Sequence, residues 1–380
     1  MTPCIPLSAP DITEAEIDAV TQVLRTPQLS LGPELEAFEA ALATYHGVPH
    51  AVAVSSGTAG LHMALLTLRI GEGDEVILPS FAFIAVANAV LQLRATPVFA
   101  EIDPVTLNLD PAAVERSITP RTRALLVVHT FGVPAEMDAL QAIARRHGLV
   151  IIEDACEAVG SEFDDRRAGS FGDLAVLGFY PNKQFTTGEG GAVLARDAAH
   201  AARLKSLRNQ GRSPAAGWLD HTEIGYNYRL SELACALGRV QISRLDEMLA
   251  MRRAAAKRYH GLLSEISSTV SGFELPPFSL PRRNISWFVY VVRLPEGLDF
   301  ESGARDRVQA TLAAHGIATG RYFAPIHLQP AWRNHPSAVA VSLPHTESIA
   351  RRTLALPFFN RITQSQQEEV AGTLCDAILG

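Results

Sequence analysis

Lysine is scarce in this sequence of 380 residues. Arginine supplies nearly all of the 33 basic residues, and the only lysines are Lys183, Lys205 and Lys257. A lysine amine is the nucleophile that forms Schiff bases with carbonyl compounds. A mechanism of that kind therefore has only three candidates in this chain.

Cysteine is also rare. Cys4, Cys156, Cys235 and Cys375 lie far apart, and no CxxC pair occurs. This spacing indicates neither a disulfide framework nor a zinc site, and we expect no bound metal. Lone thiols are typical of proteins in a reducing compartment, so we expect a cytoplasmic protein.

A strong excess of charge of one sign is absent as well. The chain has 33 basic and 40 acidic residues, with a formal net charge of -7. Such a balance lacks the electrostatic footprint of a nucleic-acid binder and the polybasic patch of a membrane-surface protein. We therefore expect neither nucleic acid nor membrane among the partners.

The sequence also lacks an unbroken apolar run that could cross a membrane. Residues 76–93 carry no charge and just reach the necessary length of about 18 residues. Pro79, Ser80 and Asn88 interrupt this stretch, so we interpret it as a buried strand that leads into a buried helix. Residues 1–16 show no basic head followed by an apolar run, and no secretory signal is predicted.

Short apolar runs alternate with helical patterns through the first two-thirds of the chain. The predicted strands are 51–54, 75–78, 97–99, 124–128 and 149–152. The predicted helices between them are 60–70, 84–93, 111–118 and 137–147. Apolar strands that alternate with helices indicate a largely parallel sheet covered on both faces. Ligands of such sheets bind at the carboxyl ends of the strands.

The rest of the chain predicts a second, smaller α/β unit. A long helical stretch over 230–266 leads out of the first unit, and a strand over 286–293 follows a proline-rich segment. Helices are predicted over 305–315 and 364–379. Two domains agree with the length of the chain. We expect a large domain over 1–250 and a small one over 251–380.

The first strand end that carries chemistry lies at 55–60. Ser56, Gly57 and Thr58 link a predicted strand to a predicted helix. Free backbone N–H groups and the positive end of the helix dipole bind phosphate at such positions. A plain helix N-cap with a permissive glycine explains the segment equally well.

The second strand end carries two carboxylates. Asp154 and Glu157 follow the strand predicted over 149–152. A carboxylate at the carboxyl edge of a sheet loses solvation, which costs free energy unless a cation lies beside it. A protonated pyridine nitrogen would be such a cation. Taken alone, Asp154 is explained better as the cap of a following helix.

The third strand end holds a lysine. Lys183 follows a strand-like run and precedes the glycine-rich turn 186–191. Lys205 lies among arginines and Lys257 lies in an arginine-rich helical stretch, so both are interpreted as solvated surface residues. A phosphate cradle, a carboxylate and a lysine on successive strand ends form the set that pyridoxal phosphate requires.

Motifs in a fixed order then extend over nearly the whole chain. They occupy 29–33, 56–61, 79–83, 132–138, 153–155, 183–191, 225–230 and 325–330. With them the sequence resembles the sugar aminotransferases of the DegT/DnrJ/EryC1/StrS group, which are fold type I pyridoxal-phosphate enzymes. The resemblance implies an α/β fold, with a large domain built on a mostly parallel sheet and a smaller C-terminal α/β domain.

The resemblance also implies roles at the cofactor phosphate and ring. Ser56, Gly57 and Thr58 would lie at the phosphate, where Gly57 and Thr58 donate hydrogen bonds. Phe83 would stack on the pyridine ring. Without the family, Phe83 is explained better as a core aromatic.

Further roles follow from the same resemblance. Asp154 would pair with the ring nitrogen, Glu157 would lie near the ring hydroxyl, and Lys183 would be the catalytic lysine. Asn227 would reach the phosphate of the neighbouring subunit, which implies a homodimer with shared active sites. Without the family, Asn227 is explained better as a turn residue.

The sequence departs from the family pattern at two positions. Gly178 stands where many members carry a phosphate-binding serine, and Glu157 stands where many carry glutamine or histidine. Glutamate there is similar to the perosamine-synthase-like branch. A related branch that dehydrates sugars has histidine in place of the lysine, and Lys183 argues against that activity.

The resemblance implies transfer of an amine to a nucleotide-linked keto-sugar or keto-deoxysugar, with L-glutamate as the amino donor. Arg208, Arg212 and Arg229 are candidates for binding this substrate, because arginine pairs well with phosphate oxygens. A solvated helix face explains the arginines of this region equally well. His327 is a candidate for the sugar pocket, and structural packing is its equal alternative.

Two other functions remain open at this point. One is another pyridoxal-phosphate reaction, such as sugar dehydration or a lyase reaction. The other is a regulatory protein that keeps the fold without catalysis.

Overall fold

A computed structural model describes residues 5–212, 220–296, 303–338 and 340–379. Its strands are β1 (His50–Val54), β2 (Glu75–Pro79), β3 (Thr96–Ala100), β4 (Thr122–Val128), β5 (Val150–Asp154), β6 (Glu162–Phe163), β7 (Arg166–Arg167), β8 (Leu174–Gly178), β9 (Gly191–Ala195), β10 (Arg283–Asn284), β11 (Tyr290–Arg293) and β12 (Thr353–Leu356).

Helices surround these strands in the same part of the chain. They are α1 (Glu14–Leu24), α2 (Pro33–His46), α3 (Gly57–Thr67), α4 (Ala85–Gln92), α5 (Pro111–Ser117), α6 (Met137–His147), α7 (Ala198–Leu207), α8 (Glu232–Ser243), α9 (Leu245–Leu262), α10 (Ser264–Thr269), α11 (Ala304–Ala314), α12 (Pro330–Arg333), α13 (Pro344–Arg352) and α14 (Gln364–Leu379). None of the described helices is both long and apolar enough to cross a membrane.

One large sheet organises the first unit. Its strand order is β1-β9-β8-β5-β4-β2-β3, and β9 runs antiparallel to both of its neighbours while the other pairings are parallel. The expected mostly parallel sheet is therefore confirmed. Because every strand of this sheet except β9 runs in the same direction, β1, β5 and β8 end at the same edge.

The alternation of side chains explains why both faces of the sheet are covered. In β1, Val52 and Val54 pack into one core, whereas Ala51 and Ala53 face the opposite core. The uncharged stretch that reached membrane-span length is β2 followed by α4, as predicted.

A second core lies in the C-terminal part of the chain. It gathers side chains of α9, α11 and α14 around the antiparallel pair β11 and β12. Ile5 packs in this core and forms a bridge to Ile317, so the start of the described chain belongs to it as well. The predicted boundary at 250 falls inside α9, and this helix contacts both a core of the sheet and the core of the C-terminal part. The division into 1–250 and 251–380 stays a prediction.

Two predicted elements are wrong in extent. The stretch 230–266 is not one helix but α8, α9 and the first half of α10, with breaks at Arg244 and Leu263. Arg244 leaves helical geometry where its guanidinium binds the carboxylate of Glu16 at 2.7 Å. The strand predicted over 286–293 is restricted to β11, because Trp287 adopts a positive φ of 54° and turns the preceding segment away.

Candidate active site

A cavity of about 420 Å³ opens at the carboxyl ends of β1, β5 and β8. Seven of the eight residues predicted to bind the cofactor line it, namely Ser56, Gly57, Thr58, Phe83, Asp154, Glu157 and Lys183. They come from separate strand ends of one sheet, which is where a ligand of this fold class binds.

The first wall of the cavity is the start of α3. Ser56 is its N-cap, and the Ser56 hydroxyl accepts a hydrogen bond from the N–H of Ala59 at 3.0 Å. The N–H groups of Gly57 and Thr58 belong to the first helical turn, where no intrahelical acceptor exists. These two donors and the helix dipole form a site suited to an anion. The segment is therefore a helix N-cap and at the same time a suitable phosphate site, so the two explanations offered from the sequence do not exclude each other.

Glycines bring the backbone unusually close together beside this helix start. A Cβ atom on Gly191, in β9, would lie 2.7 Å from the nitrogen of Gly57 and 2.7 Å from the carbonyl oxygen of Leu177. Only glycine fits there without displacing the α3 terminus. The sequence interpretation treated Gly191 as part of a turn and missed this role.

Gly178 is a second glycine at a closely packed position. A Cβ atom at this position would lie 3.1 Å from Sγ and 3.2 Å from Cβ of Cys156, so a side chain here would require Cys156 to move by a few tenths of an ångström. The Cys156 thiol is half-buried beside this glycine. Burial raises the pKa of this thiol well above its usual range, which keeps it protonated.

Asp154 is the last residue of β5 and is half-buried at the cavity wall. Its Oδ1 accepts a hydrogen bond from the N–H of Cys156 at 3.0 Å. A turn follows β5 at this point, so the carboxylate does not cap a helix. The expectation of a helix cap, favoured for Asp154 taken alone, is wrong.

Glu157 is buried, with 7% of its surface exposed. Its Oε2 accepts a hydrogen bond from the N–H of Phe131 at 2.9 Å, and its Oε1 lies 3.6 Å from Nζ of Lys183. Burial raises the pKa of the Glu157 carboxyl, while the Lys183 charge and the Phe131 N–H oppose that rise.

Lys183 lies on the loop after β8 and points to the centre of this cluster. Its Nζ is 3.6 Å from Glu157 and 4.0 Å from the ring centroid of Phe288. The loop is anchored by Gln184, whose amide nitrogen donates to the carbonyl of Glu157 at 2.6 Å and to the Ser286 hydroxyl at 2.9 Å. The lysine is therefore held in place from both its backbone and its side chain.

The other two lysines lie elsewhere. Lys257 is exposed on α9. The side chain of Lys205 is 52% exposed, and its Nζ lies 3.9 Å from Glu39. Lys183 is the only lysine that lines the cavity.

Aromatic side chains form much of the remaining wall. Phe83 is 63% exposed, so the alternative of a core aromatic is wrong for it. Phe288, Tyr322 and Phe323 reach the same cavity from the C-terminal unit. Sequence reasoning missed these three, because Phe288 sat in a predicted regular strand and the other two lie just outside the motif at 325–330.

Asn227 does not line the cavity of its own chain. It is exposed on the segment before α8 and bridges to Asn209. Arg229 lies nearby and donates hydrogen bonds to the side-chain oxygens of Asn209 at 2.8 Å and Gln210 at 2.9 Å. Arg212 is half-buried and bridges to a histidine of the same region.

The expectation that Arg208 binds substrate is contradicted by its surroundings. Arg208 is buried, and its guanidinium binds the carboxylate of Glu39 and the carbonyl oxygen of Ala53 at 2.7 Å. Glu39 also accepts the N–H of Ala53 at 2.9 Å. The arginine therefore ties α2 to β1 and has no free face for a ligand.

His327 is likewise a packing residue. It is buried, with its Nδ1 2.6 Å from the Ser80 hydroxyl and its Nε2 3.3 Å from Glu347. Burial lowers the pKa of His327, which favours the neutral ring. It does not line the cavity, so the sugar-pocket expectation is wrong and the packing alternative describes it.

Replacing Arg208 by methionine is expected to destabilise the fold by about 3 kcal/mol, the lower end of the cost of breaking a buried ion pair, because Glu39 keeps only the Ala53 N–H and the half-exposed Lys205 ammonium at 3.9 Å. Equilibrium urea unfolding measures this change. The control is Arg94→Met, whose ion pair with Glu72 is exposed and whose loss costs about 1 kcal/mol or less. A rise in KM for the substrate with unchanged stability would restore the binding role of Arg208.

A model of the DegT/DnrJ/EryC1/StrS aminotransferase family matches residues 10–375. The chain belongs to this family. The resemblance stated from the motifs, the expected α/β fold and the expected enzyme class, an aminotransferase, are thereby confirmed.

Individual members of the family resemble the whole chain. GDP-perosamine synthase from Caulobacter vibrioides is 39% identical over 373 residues, which cover 98% of each protein. The crystal structure of DesV from S. venezuelae shares 38% identity and a TM-score of 0.89 over all of both chains. The sugar aminotransferase Spr1654 from Streptococcus pneumoniae, in its PLP form, shares 26% identity and a TM-score of 0.90 over 98% of both. Aminotransferases of this family depend on pyridoxal phosphate.

Proposed function

We propose that this family member binds pyridoxal phosphate and transfers an amine from L-glutamate to a nucleotide-linked keto-sugar or keto-deoxysugar. One observation carries the proposal. Lys183, Asp154 and the free N–H groups at the start of α3 line a single cavity of about 420 Å³. The name of the Caulobacter vibrioides relative supports a nucleotide-linked sugar as substrate.

The residues present fit the cofactor. Gly57 and Thr58 offer two backbone donors and a helix dipole for its phosphate, and Gly191 leaves the space that this backbone needs. Asp154 offers a carboxylate for a protonated ring nitrogen, and the exposed face of Phe83 is available for stacking. Pyridoxal phosphate, when bound, supplies a carbonyl carbon that takes up amines and a ring that withdraws electrons.

The protein groups then have separate tasks. Lys183 supplies the amine that holds the cofactor and, once displaced, the base that removes the proton from Cα of the amino donor. Asp154 would keep the ring nitrogen charged. Glu157 would lie near the ring hydroxyl. Because glycine at 178 has no side chain, the backbone donors of Gly57 and Thr58 would hold the phosphate.

A homodimer would complete the site. Lys183 is the only cationic side chain on the cavity wall of the described residues, yet the substrate carries phosphate charges. Asn227 is exposed, with the half-buried Arg212 and Arg229 near it, and is available to a second copy, so that Asn227 of the partner subunit would reach the cofactor phosphate. Cys156, Cys235 and Cys375 are free thiols, in keeping with a cytoplasmic enzyme, and Cys4 lies outside the described residues.

Incubation with L-glutamate tests the reaction class. We expect formation of 2-oxoglutarate and conversion of bound pyridoxal phosphate to pyridoxamine phosphate, followed by amination when GDP-, UDP- or dTDP-linked keto-sugars are added. Mass spectrometry of the sugar and an assay for 2-oxoglutarate measure the two halves. Loss of water from the sugar without any amine in the product would favour the dehydratase alternative.

The absence of 2-oxoglutarate from a protein that is loaded with cofactor would rule out glutamate as donor. The same assay with other amino acids would then identify the donor. A protein that takes up no pyridoxal phosphate at all would overturn the proposal as a whole.

A further inference from the structure

The ammonium group of Lys183 lies between two groups from different parts of the fold. Glu157, on the loop after β5, places Oε1 3.6 Å from Nζ. Phe288, on the segment before β11, places its ring face 4.0 Å from the same nitrogen. Both residues are buried, with 7% and 2% of their surfaces exposed. We call this pair the lysine clamp.

Each half of the lysine clamp is fixed by contacts of its own. The second carboxylate oxygen of Glu157 is bound by the N–H of Phe131, and its carbonyl is bound by Gln184. The carbonyl of Phe288 accepts a hydrogen bond at 2.7 Å from the guanidinium of Arg252, which is buried on α9. Contacts within the protein therefore fix both halves of the clamp.

The chemistry of both groups favours a charged lysine. A carboxylate within about 4–6 Å and the face of an aromatic ring within about 6 Å each attract an ammonium more strongly than a neutral amine. The other titratable groups near Glu157 are Asp154, Cys156 and Tyr322, and none of them is a cation. Lys183 is the cation that this arrangement is built to receive.

We propose that Glu157 and Phe288 are positioning residues that hold Lys183 and its proton whenever the lysine is not bonded to the cofactor. The inference rests on the proposed function, in which Lys183 removes a proton from the donor. In that step the donor C–H bond breaks, an N–H bond forms on Nζ, and the electron pair stays with the donor. The clamp stabilises the resulting ammonium, so it strengthens Lys183 as a base and keeps it beside the reacting atoms.

Glu157→Gln keeps the shape of the side chain and removes its charge, and Phe288→Leu keeps an apolar side chain and removes its π face. Two rates are measured against pH for each variant. One is the uptake of pyridoxal phosphate by cofactor-free protein, which requires the neutral amine. The other is the half-reaction with L-glutamate, followed by stopped-flow absorbance.

Both variants remove an attraction that favours the ammonium over the neutral amine. We expect the acid limb of cofactor uptake to move to lower pH in Glu157→Gln and by a smaller amount in Phe288→Leu. The plateau rate of the glutamate half-reaction should fall about tenfold, because the lysine becomes a weaker base. Phe288→Tyr retains the ring face and should keep the acid limb at its original pH.

If Glu157 and Phe288 had only a structural role, their replacement would lower the plateau of both rates and leave the acid limbs at their original pH. That result would overturn the proposed clamp. The near-isosteric Glu157→Gln keeps the test decisive if Phe288→Leu folds poorly, as judged by its circular dichroism. Failure of the unmodified protein to take up the cofactor would instead contradict the proposed function, so the two failures are distinguishable.

Discussion

Alanine in place of Lys183 is expected to lower the rate of amine transfer by about 10⁴-fold or more, the upper end of what a positioned acid–base group contributes. The variant also removes the only lysine on the cavity wall, so the bond between cofactor and protein cannot form. Two functions, nucleophile and base, are lost with one side chain. Turnover and the visible absorption of the lysine-bonded cofactor are the measurements.

Because the chain has only two other lysines, two control variants test every alternative lysine. Lys205→Ala and Lys257→Ala change exposed side chains outside the cavity and should keep both the absorption and the turnover. Retention of the absorption by Lys183→Ala would show that another amine holds the cofactor. Its loss in one of the two control variants would move the assignment to that lysine.

Asparagine in place of Asp154 is expected to lower turnover by about 10²- to 10³-fold, as the loss of one preorganised electrostatic partner does in a closed site. The amide still offers an oxygen to the N–H of Cys156, so the turn after β5 is retained. Only the negative charge is removed, and with it the group that keeps the ring nitrogen protonated. Steady-state turnover and the cofactor dissociation constant together measure the effect.

A matched control for Asp154→Asn exists in another turn. Oδ1 of Asp103 accepts hydrogen bonds from the N–H groups of Val105 at 3.1 Å and Thr106 at 2.7 Å, and Asp103 is half-buried like Asp154. Asp103 does not line the cavity, so Asp103→Asn should leave turnover nearly unchanged. Turnover within tenfold of the original enzyme in Asp154→Asn would contradict a role for its charge.

Local signals predicted β1 to β5 because each of these strands is a short, largely apolar run with a turn near its end. The same signals drew attention to Asp154 and Lys183, since residues that follow parallel strands lie at the carboxyl edge of the sheet. The choice of Lys183 also needed the exclusion of Lys205 and Lys257. The role of Asp154 at the ring nitrogen came from the family resemblance, because Asp154 taken alone was better explained as a helix cap.

Long-range contacts decided the residues on which sequence reasoning was wrong. Arg208 was expected at the substrate because arginine pairs well with phosphate oxygens, but a distant partner, Glu39, binds its guanidinium inside the core. The sequence left two explanations for His327, a contact with the sugar and structural packing. Its contacts with Ser80 and Glu347 favour packing. Whether a polar side chain meets a ligand or a distant partner depends on residues that no local pattern specifies.

Three lysines, one of them beside a glycine-rich turn, were sufficient in the sequence alone to make Lys183 the candidate for Schiff-base chemistry. Only the tertiary structure decided what surrounds its amine. Glu157 is 26 residues before Lys183 and Phe288 is 105 residues after it, and all three meet on the wall of one cavity. A local pattern is enough to select the candidate lysine, whereas the groups around its amine come from distant parts of the chain that only folding brings together.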